Sequence, residues 1–251
     1  MRTMLPLFVL NDTLQLWSRR LRFSGPVTSA DSARGDDTAN LKHVVVTWLT
    51  KLFHPMDPPL HTTIKDDCGF VHNITGKLLC PVEYTWSLNL TKEKIRDRDP
   101  DFLVMAYSWP AFLYTDYTFD SSNIEKGLFH SALLLKAFKH LFTSPSSAKE
   151  VEGDGNGANA IMASQRRQTS ESNAATRSHM ANIIGMKMVT LRSIAYTACQ
   201  LHFSLSNVNS WWSVDGDFDY YVFYNIVDFF EVAPGIDAQA HIKELLKWWN
   251  R

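Results

Sequence analysis

The run LFHSALLLKAFKHLF, Leu128 to Phe142, decides the fold. Its apolar residues cover most of a helical circumference and leave Lys136, Lys139 and His140 on one edge, spaced by three and four. A helix apolar nearly all round belongs at the centre of a helical body. A second run of the same kind is LRSIAYTACQLHFSL, Leu191 to Leu205. Leu191, Ile194, Ala195, Ala198, Leu201 and Leu205 form one stripe of it, and Tyr196, Cys199 and Phe203 another. The two runs should pack on each other. Burial of Leu135, Phe138, Ile194 and Leu201 should then contribute ~1.5–3 kcal/mol per side chain.

Outward from this pair the periodicity predicts helices over 41–53, 124–142, 184–207, 218–231 and 237–250. Thr38 or Asn40 is the expected cap of the first, Asp215 or Asp217 of the fourth and Asp237 of the last. His54-Pro55 and Pro58-Pro59 end the first helix, because proline cannot continue the ladder. Residues 60–123 read as mostly irregular. Gly69 to Pro81 suggests a small hairpin turning near Asn73 to Gly76. Tyr107 to Tyr117 is aromatic-rich and reads as a buried irregular segment, with an aromatic binding surface as the alternative. Between the two central runs, Ser144 to Ser178 holds no aromatic residue. Its composition cannot offset ordering entropy, so 146–176 is expected to be a mobile, dispensable insertion. Residues 1–40 read as a poorly ordered stub and linker, with Ser24 to Asn40 as loop, and 41–251 as the folded body. The expected class is therefore mainly α: one helical domain with a small irregular or hairpin segment and a long disordered insertion.

With 251 residues, 45% hydrophobic and 12% aromatic, the chain can bury a sizeable core. Its formal charge of −1 lacks the basic excess of a protein that grips many phosphates. A local patch of Lys136, Lys139, Arg177 and Arg192 is the residual nucleic-acid reading. Three cysteines, Cys68, Cys80 and Cys199, argue against a disulfide framework and suit a reducing compartment. Met1 to Leu10 makes a poor signal peptide, and no apolar run approaches the ~20 residues of a membrane span. The expected location is intracellular, cytoplasmic or nuclear. The sequons at Asn11, Asn73 and Asn89 matter only if the chain is secreted.

Chemical motifs are weak. Cys68, His72 and Cys80, with His61 upstream, carry zinc-type donors at poor spacing, so no metal is expected. Asp215-Gly216-Asp217-Phe218-Asp219 opens like a calcium loop, but Tyr220 stands where a glycine is needed and Ile226 where a glutamate is needed; helix capping accounts for it better. The glycines of 153–157 follow no strand and carry no lysine, which excludes a phosphate loop. No cofactor signature is present. His202 reads first as a hydrogen-bonded core histidine and second as a general base. Trp211-Trp212 and Trp248-Trp249 read as core or partner packing before base stacking. Arg166-Arg167-Gln168-Thr169 reads as solvated loop before kinase site.

Several blocks carry a resemblance. They are Gly35-Asp36-Asp37-Thr38-Ala39-Asn40-Leu41-Lys42, Gly69-Phe70-Val71-His72, Thr75-Gly76-Lys77-Leu78-Leu79-Cys80-Pro81, Trp109-Pro110-Ala111-Phe112-Leu113-Tyr114 and Lys139 to Ser147. After these come Thr176-Arg177-Ser178, Gly185-Met186, Val189-Thr190, Ser193-Ile194-Ala195-Tyr196 and Trp248-Trp249-Asn250-Arg251. In order and spacing they resemble an uncharacterised family of basidiomycete fungal proteins, a domain of unknown function, over roughly residues 35–251. The resemblance implies a fungal, intracellular protein and no particular activity. Much of 149–175 looks like an expansion of a shorter polar link. Ile184 stands where the family pattern tends to place a histidine, and the first 34 residues match nothing in it.

The residues support two functional expectations. The first is a non-enzymatic interaction protein whose aromatic-rich face docks a protein or nucleic-acid partner. The alternative is an enzyme whose site is assembled from distant residues, with His72, Cys80, His140 and Tyr196 as candidates because they lie in or beside these blocks and carry titratable or nucleophilic groups. The three thiols are expected to be reduced and unpaired.

Overall fold

The computed structural model describes residues 27–143, 148, 181, 185–210, 214–229 and 235–251. The chain divides into two compact units, Met1–Asp37 and Thr38–Arg251. The main core cluster begins at Leu41 and so lies in the second unit. The elements are α1 (Val27–Leu52), α2 (Asn73–Leu79), α3 (Asn89–Arg96), α4 (Ala132–Phe142), α5 (Leu191–Leu205), the strands β1 (Val214–Asp215) and β2 (Phe218–Asp219), α6 (Tyr220–Phe229) and α7 (Ile236–Trp249). Short 3-10 turns at Gly69–Val71, Pro100–Phe102, Ala111–Leu113 and Thr115–Tyr117 fill the irregular stretch. The body is mainly helical, as the periodicity predicts.

The two central runs do pack together. Leu133, Leu134, Leu135, Ala137, Phe138, Ile194, Ala195, Ala198 and Leu201 are buried in one cluster. The Phe142 and Tyr196 rings meet edge to face at 6.0 Å. Thr190 starts α5 with a capping box, its hydroxyl taking the Ser193 N–H while Ser193 Oγ takes the Thr190 N–H. The last helix closes the core through Trp249, which is fully buried and donates its indole N–H to the Phe129 carbonyl at 3.1 Å. Asn250 then holds Val189 by accepting its N–H and donating to its carbonyl.

Several boundaries differ from expectation. The first helix begins at Val27, so the loop read over Ser24 to Asn40 gives way from there on. Thr38 is then interior to α1 and donates its hydroxyl to Gln200 Oε1 at 2.8 Å instead of capping. Residues 124–131 are not helical, and α4 starts only at Ala132, capped by Ser131, whose hydroxyl accepts the Leu134 N–H. Gly127 and Phe129 have positive φ, 75° and 60°, and Leu128 forms a bridge with Tyr114; neither fits a helix. Residues 185–190 are likewise non-helical, so α5 starts at Leu191.

The hairpin expected over Gly69 to Pro81 is instead a 3-10 turn followed by α2. His72 supplies the reason, because its Nδ1 accepts the Ile74 N–H and caps the helix. The strand pair lies later: β1 and β2 pair antiparallel as Val214 with Asp219 and Asp215 with Phe218. Gly216, at φ 60°, makes the turn. Helix α6 is capped by neither Asp215 nor Asp217. Asp219 accepts the N–H groups of Tyr221 and Val222, at 2.8 and 3.0 Å. At α7 the cap residue is Gly235, and Asp237 sits in the first turn.

The stretch Tyr107 to Tyr117 is mostly buried as expected, with Phe112, Leu113 and Tyr114 fully enclosed. A smaller cluster of Cys80, Trp86 and Ile95 sits beside the main core, with Phe70, Tyr84, Phe102 and Val104 packed on it. The insertion 149–176, the first ten residues, Arg166, Arg167, Arg177, Ile184, Trp211 and Trp212 lie outside the described residues.

Candidate functional site

Where the small cluster meets the polar end of α5 there is a cavity of about 210 Å³. Phe70, Ile95, Phe102 and Val104 wall it on one side. His202, Ser206, Asn207, Asp215 and the Arg98–Asp217 pair contribute its polar lining. Arg98 donates through Nε and Nη2 to the same Asp217 oxygen, at 3.1 and 2.8 Å, so these two charges offset each other.

His202 is the central group. It lies in the last turn of α5, 4% exposed, because α6 and the β1–β2 hairpin fold over it. The Phe218 ring stacks on its face at 3.8 Å, and Phe112 and Phe223 approach from other sides. Its Nδ1 lies 3.0 Å from the Tyr220 hydroxyl. Its Nε2 is buried and has no hydrogen-bond partner. Burial, helped by the nearby Lys65 charge, pushes its pKa down to about 3, so the ring is neutral at ordinary pH.

Around it the polar groups are interlocked. The Tyr220 hydroxyl bonds to Ser206, and Ser206 Oγ donates to the Phe203 carbonyl at 2.9 Å. Lys65 is 2% exposed. Its Nζ donates to the same carbonyl at 2.6 Å and stands 3.4 Å over the Phe203 ring. Burial first, then the neighbouring Lys42 charge, push its pKa down to about 7. The carboxyl of Asp215 is shifted up by burial, while Lys65 and Arg98 pull it the other way. The arrangement is a half-open cleft of mixed polar and apolar lining, beside one deeply buried nitrogen not engaged by the protein. It has room for a small molecule.

None of the four candidates drawn from the sequence lines this cavity. His72 is buried beside α2 and uses both ring nitrogens: Nδ1 accepts the Ile74 N–H, so Nε2 carries the hydrogen donated to the Pro58 carbonyl at 2.8 Å. Cys80 ends α2, and burial, then Glu83, push its thiol up to about 12. His140, half-buried near the end of α4, meets Trp48 edge to face at 5.9 Å, has a buried Nδ1 without a partner, and is pushed down by burial. Tyr196 is half-buried against Phe142. Lys139, one of the four cations of the supposed basic patch, is 4% exposed. Cys68, Cys80 and Cys199 are free and buried, and burial raises all three thiols. Among the described residues no three His, Cys, Asp or Glu side chains group closely enough to hold a metal ion. No described helix is long and apolar enough to cross a membrane.

Sequence reasoning missed Tyr220 as the partner of His202, Lys65 as a charge near it and Asp215 as a residue lining the same cleft. A lysine in an irregular stretch carries no periodicity to give it away. The one available signal was His202 itself, which falls on the otherwise apolar face of α5.

The profile of a family of unknown function, DUF6698, matches residues 28–251, and the chain belongs to that family. A search among curated proteins gives no match. A search among solved structures gives none either.

Proposed function

We propose that this chain is an intracellular, non-enzymatic binding protein of fungi that takes a small molecule into the His202 cavity. One observation carries the reading: a neutral, nine-tenths-buried histidine lines a half-open cleft, and its Nε2 has no partner in the protein. Buried polar atoms are paired in the great majority of cases, and an orphan at a cavity wall favours an external partner. The buried thiols and phenols support binding over covalent chemistry, since burial moves Cys80, Cys199, Tyr114 and Tyr220 away from their nucleophilic forms.

A second reading keeps a protein partner on an aromatic-rich surface. Tyr107, 59% exposed, and Met105, 42% exposed, favour it. Most other described rings serve the core, Phe112, Tyr114, Phe129, Phe138, Phe223 and Trp249 among them. The alternative of an enzyme built from distant residues draws on the convergence of Lys65, His202, Asp215 and Tyr220.

Ligand-observed NMR with a set of aromatic fragments tests the main reading. Fragments should bind one site competitively and be recovered unchanged. Val104→Trp, which fills the cavity, should weaken them at least ~10-fold while the helical circular dichroism persists. Fragments that bind neither protein, or both alike, would contradict it.

A further inference from the structure

The β1–β2 hairpin carries three aspartates, and the fold accounts for two of them. Asp219 accepts the Tyr221 and Val222 N–H groups at the start of α6. Asp217 accepts both Arg98 donors at the rim of the cleft. Asp215 is different. It lines the cleft, half-buried, and among the described residues its carboxyl accepts no hydrogen bond and joins no ion pair. Two cations stand in its neighbourhood, and both are committed elsewhere. Arg98 spends Nε and Nη2 on Asp217, and Lys65 Nζ donates to the Phe203 carbonyl. Taking a carboxylate out of water without giving it a donor costs stability. A donor arriving through the cleft would supply what the protein does not.

The rest of the lining says what should carry that donor. Phe70, Phe102 and Phe218 contribute aromatic surface, and Val104 aliphatic surface. Aromatic rings beside a carboxylate suit an organic cation, because the rings cover its apolar body and attract its charge. A metal ion would need further oxygen, nitrogen or sulfur donors. Among the described residues no three His, Cys, Asp or Glu side chains group closely enough to provide them. The cleft measures about 210 Å³, which exceeds the about 150 Å³ that admits a benzene ring. We propose that it takes a small organic cation of the amidine or guanidine class, whose planar N–H donors meet the Asp215 carboxylate while an apolar or aromatic body lies against Phe70 and Phe102. The proposal rests on reading the cleft as a binding site.

Benzamidine and benzamide make the test, because they share shape and size and only benzamidine is charged at pH 7.5. Each is titrated into the full chain and into Asp215→Asn, with backbone amide shifts followed by NMR. Benzamidine should bind the unaltered chain at least about tenfold more tightly than benzamide, the worth of a hydrogen bond between charged groups. It should move the amides of Val104, Gly216 and Phe218. Asp215→Asn keeps the shape of the side chain and should remove most of the preference. Added salt reads the charge without any substitution: it should weaken benzamidine and leave benzamide unchanged. If benzamide binds as tightly as benzamidine at those amides, the cationic class is overturned and the cleft reading stands. If aromatic fragments occupy the cleft and benzamidine does not, if benzamidine moves amides elsewhere, or if a folded Asp215→Asn keeps the full preference, the proposal also fails alone. If neither probe nor any fragment binds, the cleft reading fails and the proposal fails with it.

Discussion

The first two turns of α5 and its last turn are buried alike, yet they are built from opposite chemistry. Ile194, Ala195 and Ala198 are enclosed by apolar neighbours in the core with α4. Gln200, His202, Ser204 and Ser206 are buried to the same degree with polar side chains. There every group but one is engaged: Gln200 accepts from Thr38, and Ser204 and Ser206 donate to carbonyls. The contrast separates what burial does from what it is for. Apolar burial stabilises, whereas polar burial stabilises little and needs full satisfaction. A helix that keeps four polar residues buried at one end, and leaves one of their nitrogens without a partner, gives up stability there.

Substitutions should expose the contrast, and the apolar end should respond most. Phe138→Ala removes a fully buried ring that packs on Phe142 and Trp249, and should lower unfolding free energy by ~3–5 kcal/mol in denaturant melts. Leu201→Ala should lower it by ~2–5 kcal/mol. A loss below ~1 kcal/mol in either would mean that the α4–α5 core is not where the stability lies.

The polar end should show itself through pH. The folded pKa of His202, about 3, lies below its ordinary 6.5. Between those values the unfolded chain binds more protons, so this contribution is complete above pH 6.5 and is lost as pH falls toward 3. Its slope approaches ~1.4 kcal/mol per pH unit. His202→Gln should flatten the slope to what His130 and His140 contribute, both also pushed down by burial. An unchanged slope in equilibrium melts from pH 7 to 4 would place the titrating group elsewhere.

The small cluster offers a third, milder comparison. A Cβ on Gly76 would run into the six-membered ring of Trp86, whose indole N–H is held by the Asn73 carbonyl. Gly76→Ala should therefore destabilise by ~1–3 kcal/mol and shift tryptophan emission. Normal emission and stability would show that Trp86 yields freely. The smallest effect should come from Arg98→Ala at the rim. The Arg98 and Asp217 side chains are 61% and 32% exposed, so stability should change by less than ~1 kcal/mol.

The sequence made the central helices legible because fifteen-residue apolar runs leave little choice of partner. It concealed α2, since seven residues with Asn73, Thr75 and Gly76 carry almost no periodicity and the cap is an uncommon histidine. It misplaced the starts of α4 and α1 for opposite reasons. Phe129 takes a left-handed conformation that its apolar character does not announce, and the polar residues after Val27 nevertheless continue a helix. The site was half legible. His202 does have the hydrogen bond expected of a core histidine, through Nδ1, while Nε2 does not. Its neighbours come from positions 65 to 220, and no local spacing connects them.

Nitrogen-15 NMR of the His202 imidazole, in the full chain from pH 7.5 down to pH 4.5, tests the central claim most directly. The account predicts a ring that stays neutral throughout, because burial pushes its pKa down to about 3. A ring that takes up a proton above pH 5 while the fold persists would contradict it.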